Sequence, residues 1–220
     1  MQLIIKKMEV VQWKTKSRWN YSVMRLYRKS SIVTNSQMAQ YGDMALAGIG
    51  VAMKVTMMTG MVCIGLGQGI QPILGYCVGA KLWVRFKNVL RFSLAFSFTL
   101  SVVLTGVCYL FTSQIIRAFL IDATAYGYAL TFSRILLSTS IFFGVFYALI
   151  NALQAMGAGT AALIINISRQ GIIYIPVMFL LKTIVGMTGL VWAQPVADIT
   201  SLALAYVLYV QESNKIFSKQ

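Results

Sequence analysis

One long apolar stretch, residues 43–81, limits what this chain can fold into more than any other feature. About 20 mostly apolar residues suffice to cross a ~30 Å hydrocarbon core as a helix. A helix of this length is longer than that core, so it is expected to tilt, to project, or to bend near its glycines and Pro72. The stretch also carries Gln68 and Gln71, three residues apart. Glycines and paired amides are typical of a helix that packs closely on others and turns one face toward water or substrate.

The composition places the whole chain in the same class. Hydrophobic residues make up 58% and charged residues 11%, whereas a soluble domain is nearer a quarter charged. The 19 basic and 5 acidic residues fit positively charged cytoplasmic loops better than nucleic-acid binding. Cys63, Cys77 and Cys108 lie in apolar surroundings without CxxC spacing, which indicates core residues, neither metal ligands nor a disulfide framework.

The fold class expected is an all-α polytopic transmembrane bundle of about five full spans plus a partial first helix. The full spans are predicted at residues 43–79, 89–111, 126–149, 161–181 and 190–209. Pro176 is expected to interrupt the fourth of these, and a short loop is expected at residues 182–189. A tight turn is expected at Met156–Thr160, where the sequence reads MGAGT.

The ends and loops divide the chain into three parts. Residues 1–30 form a basic N-terminal segment whose apolar residues are too sparse for a span. Residues 31–211 form the bundle, beginning with what looks like only the end of a helix, and residues 212–220 form a polar tail. Basic residues concentrate in the N-terminal segment, the 81–91 loop and the tail. Both termini and that loop are therefore predicted to be cytoplasmic.

Polar side chains recur at helical spacing inside the spans, and each set falls on one helix face. For each amide taken singly, a hydrogen bond between helices is preferred over substrate contact as the interpretation. Their recurrence favours a polar-lined cavity, and flexible methionines spaced by four residues could line it too. The candidate cavity residues are Met53, Met57, Gln68, Gln71, Asn151 and Gln154.

Arg169 and Asp198 are opposite charges in the last two spans. A charge near the membrane centre costs at least ~2.5 kcal/mol on insertion scales, and pairing lowers that cost. The two are predicted to interact, either as a structural ion pair or as a gate or coupling element. Lys54 and Arg134 are further charges within spans, with snorkelling or local pairing as the simple explanation.

Chemistry-bearing motifs are otherwise scarce. The chain has no His, no carboxylate pair at useful spacing, no phosphate-binding loop and no nucleophile–base pattern. Enzymatic function, catalytic residues and a metal site are therefore not expected.

Several motifs carry a family resemblance in order and spacing: YGDMALAGIG, GLGQGIQPILGY, GAK, ISRQGIIYIP and GLVWAQPVAD. Over residues 34–210 the chain resembles the multidrug and toxin extrusion (MATE) transporters, most closely the C-terminal lobe of their DinF/MepA-like branch. The resemblance implies half of a twelve-helix transporter of the bacterial inner membrane, with alternating access at a cleft between two lobes.

The same resemblance implies export of drug-like organic cations against H⁺ or Na⁺, with no other cofactor. It implies as partners the lipid bilayer and either a missing N-terminal lobe or a second copy. A half-transporter of this kind is expected to be inactive alone. Two alternatives stay open: a half-bundle like that of lipid-linked oligosaccharide flippases, and a membrane protein that binds a partner without transporting anything.

Overall fold

The computed structural model describes residues 28, 30–120 and 122–217, and these form helices without any strand. The all-α prediction is therefore confirmed. Residues 30–39 form α1. The other elements are α2 (Asp43–Gly79), α3 (Trp83–Leu110), α4 (Thr112–Phe119), α5 (Ala123–Ser140), α6 (Phe143–Ala155), α7 (Gly159–Ile167), a π-helix (Ser168–Ile172), α8 (Tyr174–Val185) and α9 (Met187–Phe217).

Within the described residues, 4 helical segments are long and apolar enough to cross a membrane, and 5 if the bent α5–α6 pair counts as one span. The single segments are α2, α3, the run from α7 through α8, and α9. This agrees with the expected number of full spans. Most of the basic segment 1–30 lies outside the described residues.

Helix α2 is the centre of the bundle and packs against α3, α5 and α6. It remains one α-helix of 37 residues through its glycines and Pro72, roughly 55 Å long at the usual rise per residue. A Cβ added to Gly48 would lie 2.8 Å from Cβ of Tyr128 on α5. The glycine therefore allows the two backbones to approach closely.

Helices α5 and α6 were predicted as one span but are bent by 47° at a short break. Two contacts with α3 explain why the bend fits the bundle. A Cβ on Gly144 would collide with the Ser97 carbonyl, and the Ser101 hydroxyl donates a hydrogen bond to the Ile141 carbonyl at the break. A backbone oxygen freed by the bend thus has a partner at membrane depth, as a helix break requires.

The interruption predicted at Pro176 occurs slightly earlier, in the π-helix. The Ile173 N–H donates to the Ser168 carbonyl at 2.9 Å, which widens the turn. Pro176 has no N–H to offer the Ile172 carbonyl, so the regular helical ladder is broken at this point of the sequence.

Several predicted boundaries move because the helices are longer than expected. The turn after α2 is short, and Arg85 and Lys87 of the predicted 81–91 loop lie in the first turns of α3. The predicted 182–189 loop is reduced to a turn at Gly186, whose φ of 69° suits glycine. Helix α9 continues to Phe217, beyond the predicted end of its span. Gly157, with φ 82°, forms the expected turn after α6.

The described part of α1 is docked on α8. Met38 is fully buried, and the Thr34 hydroxyl lies 2.9 Å from the Tyr174 hydroxyl. At the other end of the contact, Lys182 Nζ donates to Gln40 Oε1 at 2.7 Å and also to Gln37. The partial first helix therefore belongs to the same packed body as the spans.

Candidate functional site

The structure places Arg169 and Asp198 in direct contact. Arg169 Nε lies 2.7 Å from Asp198 Oδ1, and the two side chains are 8% and 7% exposed. Arg169 comes from the π-helix and Asp198 from α9. The wide turn of the π-helix therefore presents the guanidinium to the neighbouring helix rather than to lipid.

Three aromatic rings of α6 surround the guanidinium. Its Cζ lies 5.0 Å from the ring centre of Phe143, 4.8 Å from that of Phe146 and 5.9 Å from that of Tyr147. Arg169 Nη1 also donates to the Tyr147 hydroxyl at 3.2 Å. Cation–π attraction and a hydrogen bond thus replace part of the hydration that the arginine loses.

The carboxylate of Asp198 has neutral partners as well. Gln194, one turn earlier on α9, donates to Oδ1 at 3.0 Å, and the Thr139 hydroxyl of α5 lies 3.5 Å from Oδ2. A buried ion pair is tolerated when its remaining hydrogen-bonding capacity is satisfied. The arrangement joins α5, α6, α9 and the π-helix around one pair of charges.

A cavity of about 440 Å³ adjoins this ion pair, and we call it the Arg169 cavity. Its wall is built by α1, α2, α5, α6, the π-helix, α8 and α9. Met53 and Met57, two of the predicted cavity residues, belong to this wall together with Arg169.

The other predicted cavity residues lie elsewhere, because they belong to the opposite half of α2 and α6. Gln71 donates to Gln154 at 3.2 Å, and Gln68 is exposed outside the wall of the Arg169 cavity. Asn151 is buried and donates to the Tyr147 carbonyl at 2.8 Å. The six residues predicted together therefore do not form a single cavity.

Asn151 shows what such an amide does instead. A Cβ on Gly67 would collide with its side-chain nitrogen, so the amide fills the space that glycine leaves on α2. Asn151 thus fills the contact between α2 and α6 while its hydrogen bond stays within α6, so a packing role fits it better than substrate contact.

Sequence reasoning missed Tyr147 and Gln194, which line the Arg169 cavity and also bind the ion pair. Gln194 was detectable, since it precedes Asp198 by four residues and so shares its helix face. Tyr147 carried no such signal, because its position depends on the bend between α5 and α6.

The two further intramembrane cations differ in position. Lys54 is exposed, lines the cavity, and has its Nζ 5.6 Å from the ring centre of Phe119. Arg134 is exposed and lies over Tyr109 at 5.8 Å, outside the cavity wall. The described residues contain no cluster of His, Cys, Asp or Glu that could hold a metal ion.

Comparison with known proteins agrees with this architecture. The family model MatE matches residues 23–180. The chain belongs to the MatE family. Among curated MatE relatives, the multidrug export protein MepA of Staphylococcus saprophyticus is 28% identical over 181 residues. MepA of Staphylococcus aureus is 25% identical over 182 residues. Each alignment covers 82% of this chain and 40% of the relative, so the chain spans about two fifths of the length of these MatE proteins.

Solved MatE-type structures share the fold. The Vibrio cholerae transporter VcmN in its bent form superposes with a TM-score of 0.80 at 18% identity, over 88% of this chain and 44% of that one. A MOP superfamily transporter from Pyrococcus furiosus gives a TM-score of 0.74 at 23% identity, over 88% of this chain and 43% of that one. The described bundle therefore has the architecture of slightly less than half of a MATE transporter.

Proposed function

We propose that this chain forms one lobe of a multidrug efflux transporter that exports drug-like organic cations in exchange for H⁺ or Na⁺. The observation that carries the proposal is the Arg169 cavity, set in a lobe with the MATE fold. The named function of the MepA relatives, multidrug export, supports the same conclusion.

The chemistry of the cavity wall suits varied ligands. Met53, Met57 and Met61 contribute flexible, polarizable side chains, and Phe143 and Tyr147 add aromatic surface. Its volume of about 440 Å³ is within the range of small-molecule sites. Surfaces that can repack in this way accept many partners instead of one.

Alternating access requires a second wall. In transporters built from paired repeats, one half rocks against the other around a site between them. We propose that the second wall is supplied by another lobe, either a different polypeptide or a second copy of this chain. The membrane in question is the bacterial inner membrane.

The proposal is tested with two proteins in a strain that lacks efflux pumps. The first is this chain alone, and the second is this chain joined behind the N-terminal lobe of the S. saprophyticus MepA. We expect the joined protein to lower ethidium accumulation, an uncoupler to abolish the effect, and the chain alone to have none. A joined protein that is folded in the membrane but does not export contradicts the proposed function. Export by the chain alone would make a homodimer the leading arrangement.

A flippase for lipid-linked oligosaccharides is the second candidate, because such a cargo carries phosphates that need cations in the cavity. Lys54 and Arg169, the two cationic residues of the wall within the described part of the chain, favour it, whereas Arg134 lies outside the wall. Vesicles containing the joined protein should leave a lipid-linked oligosaccharide in its original leaflet if drug export is the function.

A further inference from the structure

Among the described residues, the charged side chains in the wall of the Arg169 cavity are both cationic, Lys54 and Arg169. Asp198 contacts Arg169 but is not part of the wall. The other described carboxylates, Asp43, Asp122 and Glu212, are not part of it either. A purely cationic ligand in this cavity would therefore meet Lys54 without any carboxylate of the described wall to offset the repulsion.

Arg169 lines the cavity and has hydrogen-bonding capacity left. Among the described residues, its Nε and Nη1 donate to Asp198 and Tyr147, which leaves Nη2 for a ligand. A guanidinium offers two donor edges and can bridge two carboxylate-type groups at once. Because Asp198 and the three rings of α6 fix the guanidinium, little side-chain entropy is lost when a ligand binds it.

Further hydrogen-bond donors beside Arg169 form, together with it, an anion-binding corner of the cavity. The Tyr147 hydroxyl accepts from Arg169 and retains its own hydrogen, so it can donate to the same ligand. Lys54 lies on the same wall and adds a flexible cation. The remaining surface, with Met53, Met57 and Phe143, is apolar. The cavity thus combines one anion-binding corner with a large apolar face.

We propose that the Arg169 cavity binds amphipathic molecules through an anionic group, a carboxylate or sulfonate, held by Arg169 and Tyr147. Their aromatic or aliphatic part lies on Met53, Met57 and Phe143. This inference rests on the proposed function and adds zwitterionic drugs, which carry such a group, to its substrate class, whereas simple organic cations such as ethidium do not use this corner. The positive group of a zwitterion would lie on the side of the cavity away from Arg169.

Two fluorescent probes that share one ring system test whether the cavity prefers a ligand with an anionic group. Anilinonaphthalene sulfonate carries a sulfonate, and N-phenyl-1-naphthylamine is the same ring system without it. The full chain is placed in phosphatidylcholine nanodiscs, and the signal of empty nanodiscs is subtracted. A charge-assisted hydrogen bond contributes about 1.5–3 kcal/mol, so we expect the sulfonate to bind roughly 10-fold or more tightly than the neutral probe.

Variants of the charged residues test whether the anion-binding corner causes the preference for the sulfonate probe. Arg169→Gln combined with Asp198→Asn removes both charges without leaving one buried alone, and should abolish the preference for the sulfonate while changing neutral-probe affinity little. Lys54→Gln, at an exposed position, should fold normally and reduce sulfonate affinity by a smaller factor. Arg134→Gln is the matched control outside the cavity and should leave both affinities unchanged.

Equal affinity for the two probes in the unmodified chain overturns the inference. So does a preference that survives both the double variant and Lys54→Gln, or one that Arg134→Gln removes. Should the double variant fail to fold, an unchanged preference in Lys54→Gln overturns it. The assay needs no export, so a preserved sulfonate preference in a protein that fails the ethidium test would contradict the proposed function alone.

Discussion

Arg169 shows how a full charge is accommodated at membrane depth. Its partners are Asp198, the Tyr147 hydroxyl and the aromatic rings of α6. Replacing one member of a buried ion pair leaves the other uncompensated, which costs about 3–5 kcal/mol, whereas replacing both can be nearly neutral.

Arg169→Ala and Asp198→Ala are therefore each expected to lower the melting temperature and the folded yield in detergent. The double variant should be no less stable than either single variant. Thermal unfolding followed by size-exclusion fluorescence gives the three values, with Arg134→Ala as an exposed arginine expected to be nearly neutral. Losses that simply add would show that the two side chains are energetically independent.

At this scale the sequence predicted the ion pair but not its surroundings. Opposite charges on consecutive spans have few other partners, so Arg169 and Asp198 could be matched without coordinates. The amides Gln68 and Gln71 share one helix face, and Asn151 and Gln154 share another, yet helical spacing does not tell at which depth a face meets a cavity. For the residues of α6 that depth depends on the bend between α5 and α6, which contacts with α3 accommodate.

Among the elements, the bent pair α5–α6 depends on one small residue where it meets α3. A Cβ on Gly144 would collide with the backbone of Ser97, and backbone cannot move aside as a flexible side chain can. Gly106 on α3 is a fair comparison, because a Cβ there meets nothing within 4 Å.

Gly144→Ala is expected to destabilise the protein by about 1–3 kcal/mol through overpacking. Gly106→Ala should be neutral or stabilising by up to about 1 kcal/mol, since alanine is the better helix former. The melting temperatures of the two variants, measured in the same detergent, test whether only the change at Gly144 destabilises the protein. Equal effects would mean that the close approach of α3 to α6 does not constrain the position.

The start of α5 gives a prediction about pH. The Asp122 carboxylate caps the helix by accepting from the Thr124 and Ala125 N–H groups at 2.8 and 3.1 Å. These hydrogen bonds lower the pKa of Asp122 below its usual value. Its stabilisation should therefore be complete above the ordinary aspartate pKa and decline as the pH falls through the depressed value.

Asp122→Ala should accordingly lower the melting temperature at pH 7, and the difference from the unmodified chain should shrink in strong acid. Asp122→Asn is the control, since asparagine also caps helices but does not titrate in this range. A difference that stays constant down to the lowest pH would exclude the capping carboxylate as its source.

Element types followed from the sequence more readily than element ends. Apolar length predicted the spans, and Pro176 predicted an irregularity close to the π-helix. The α5–α6 bend has no proline and could not be read from the sequence, because glycine at Gly144 is compatible with a straight helix. The end of α9 was predicted too early because its last turns are polar, although a helix can extend from the membrane into water.

For the whole molecule, the described helices put the start of α3 and the end of α8 at opposite ends of the bundle. Asn88 lies near the first, among Arg85, Lys87 and Arg91, and Thr183 near the second. The excess of basic residues predicts that the end with Asn88 is cytoplasmic.

Single cysteines at these positions, in a background with Cys63, Cys77 and Cys108 replaced by alanine, test the orientation. We expect a membrane-impermeant maleimide added to intact cells to label Thr183→Cys and to spare Asn88→Cys. Lysed cells should show labelling of both, which controls for accessibility. The reverse pattern in intact cells would invert the predicted topology.

The hydrogen bond from Ser101 to the Ile141 carbonyl also bears on how the protein is made. Ribosomes deliver helices to the membrane in chain order, so α3 reaches the bilayer before α5 and α6 emerge. The hydroxyl that satisfies the bent span is therefore already in place when that span inserts. Moving α3 behind α6 by circular permutation would expose the kinked carbonyl to lipid during synthesis, and quality-control proteases should then degrade the permuted chain, although its final contacts are identical.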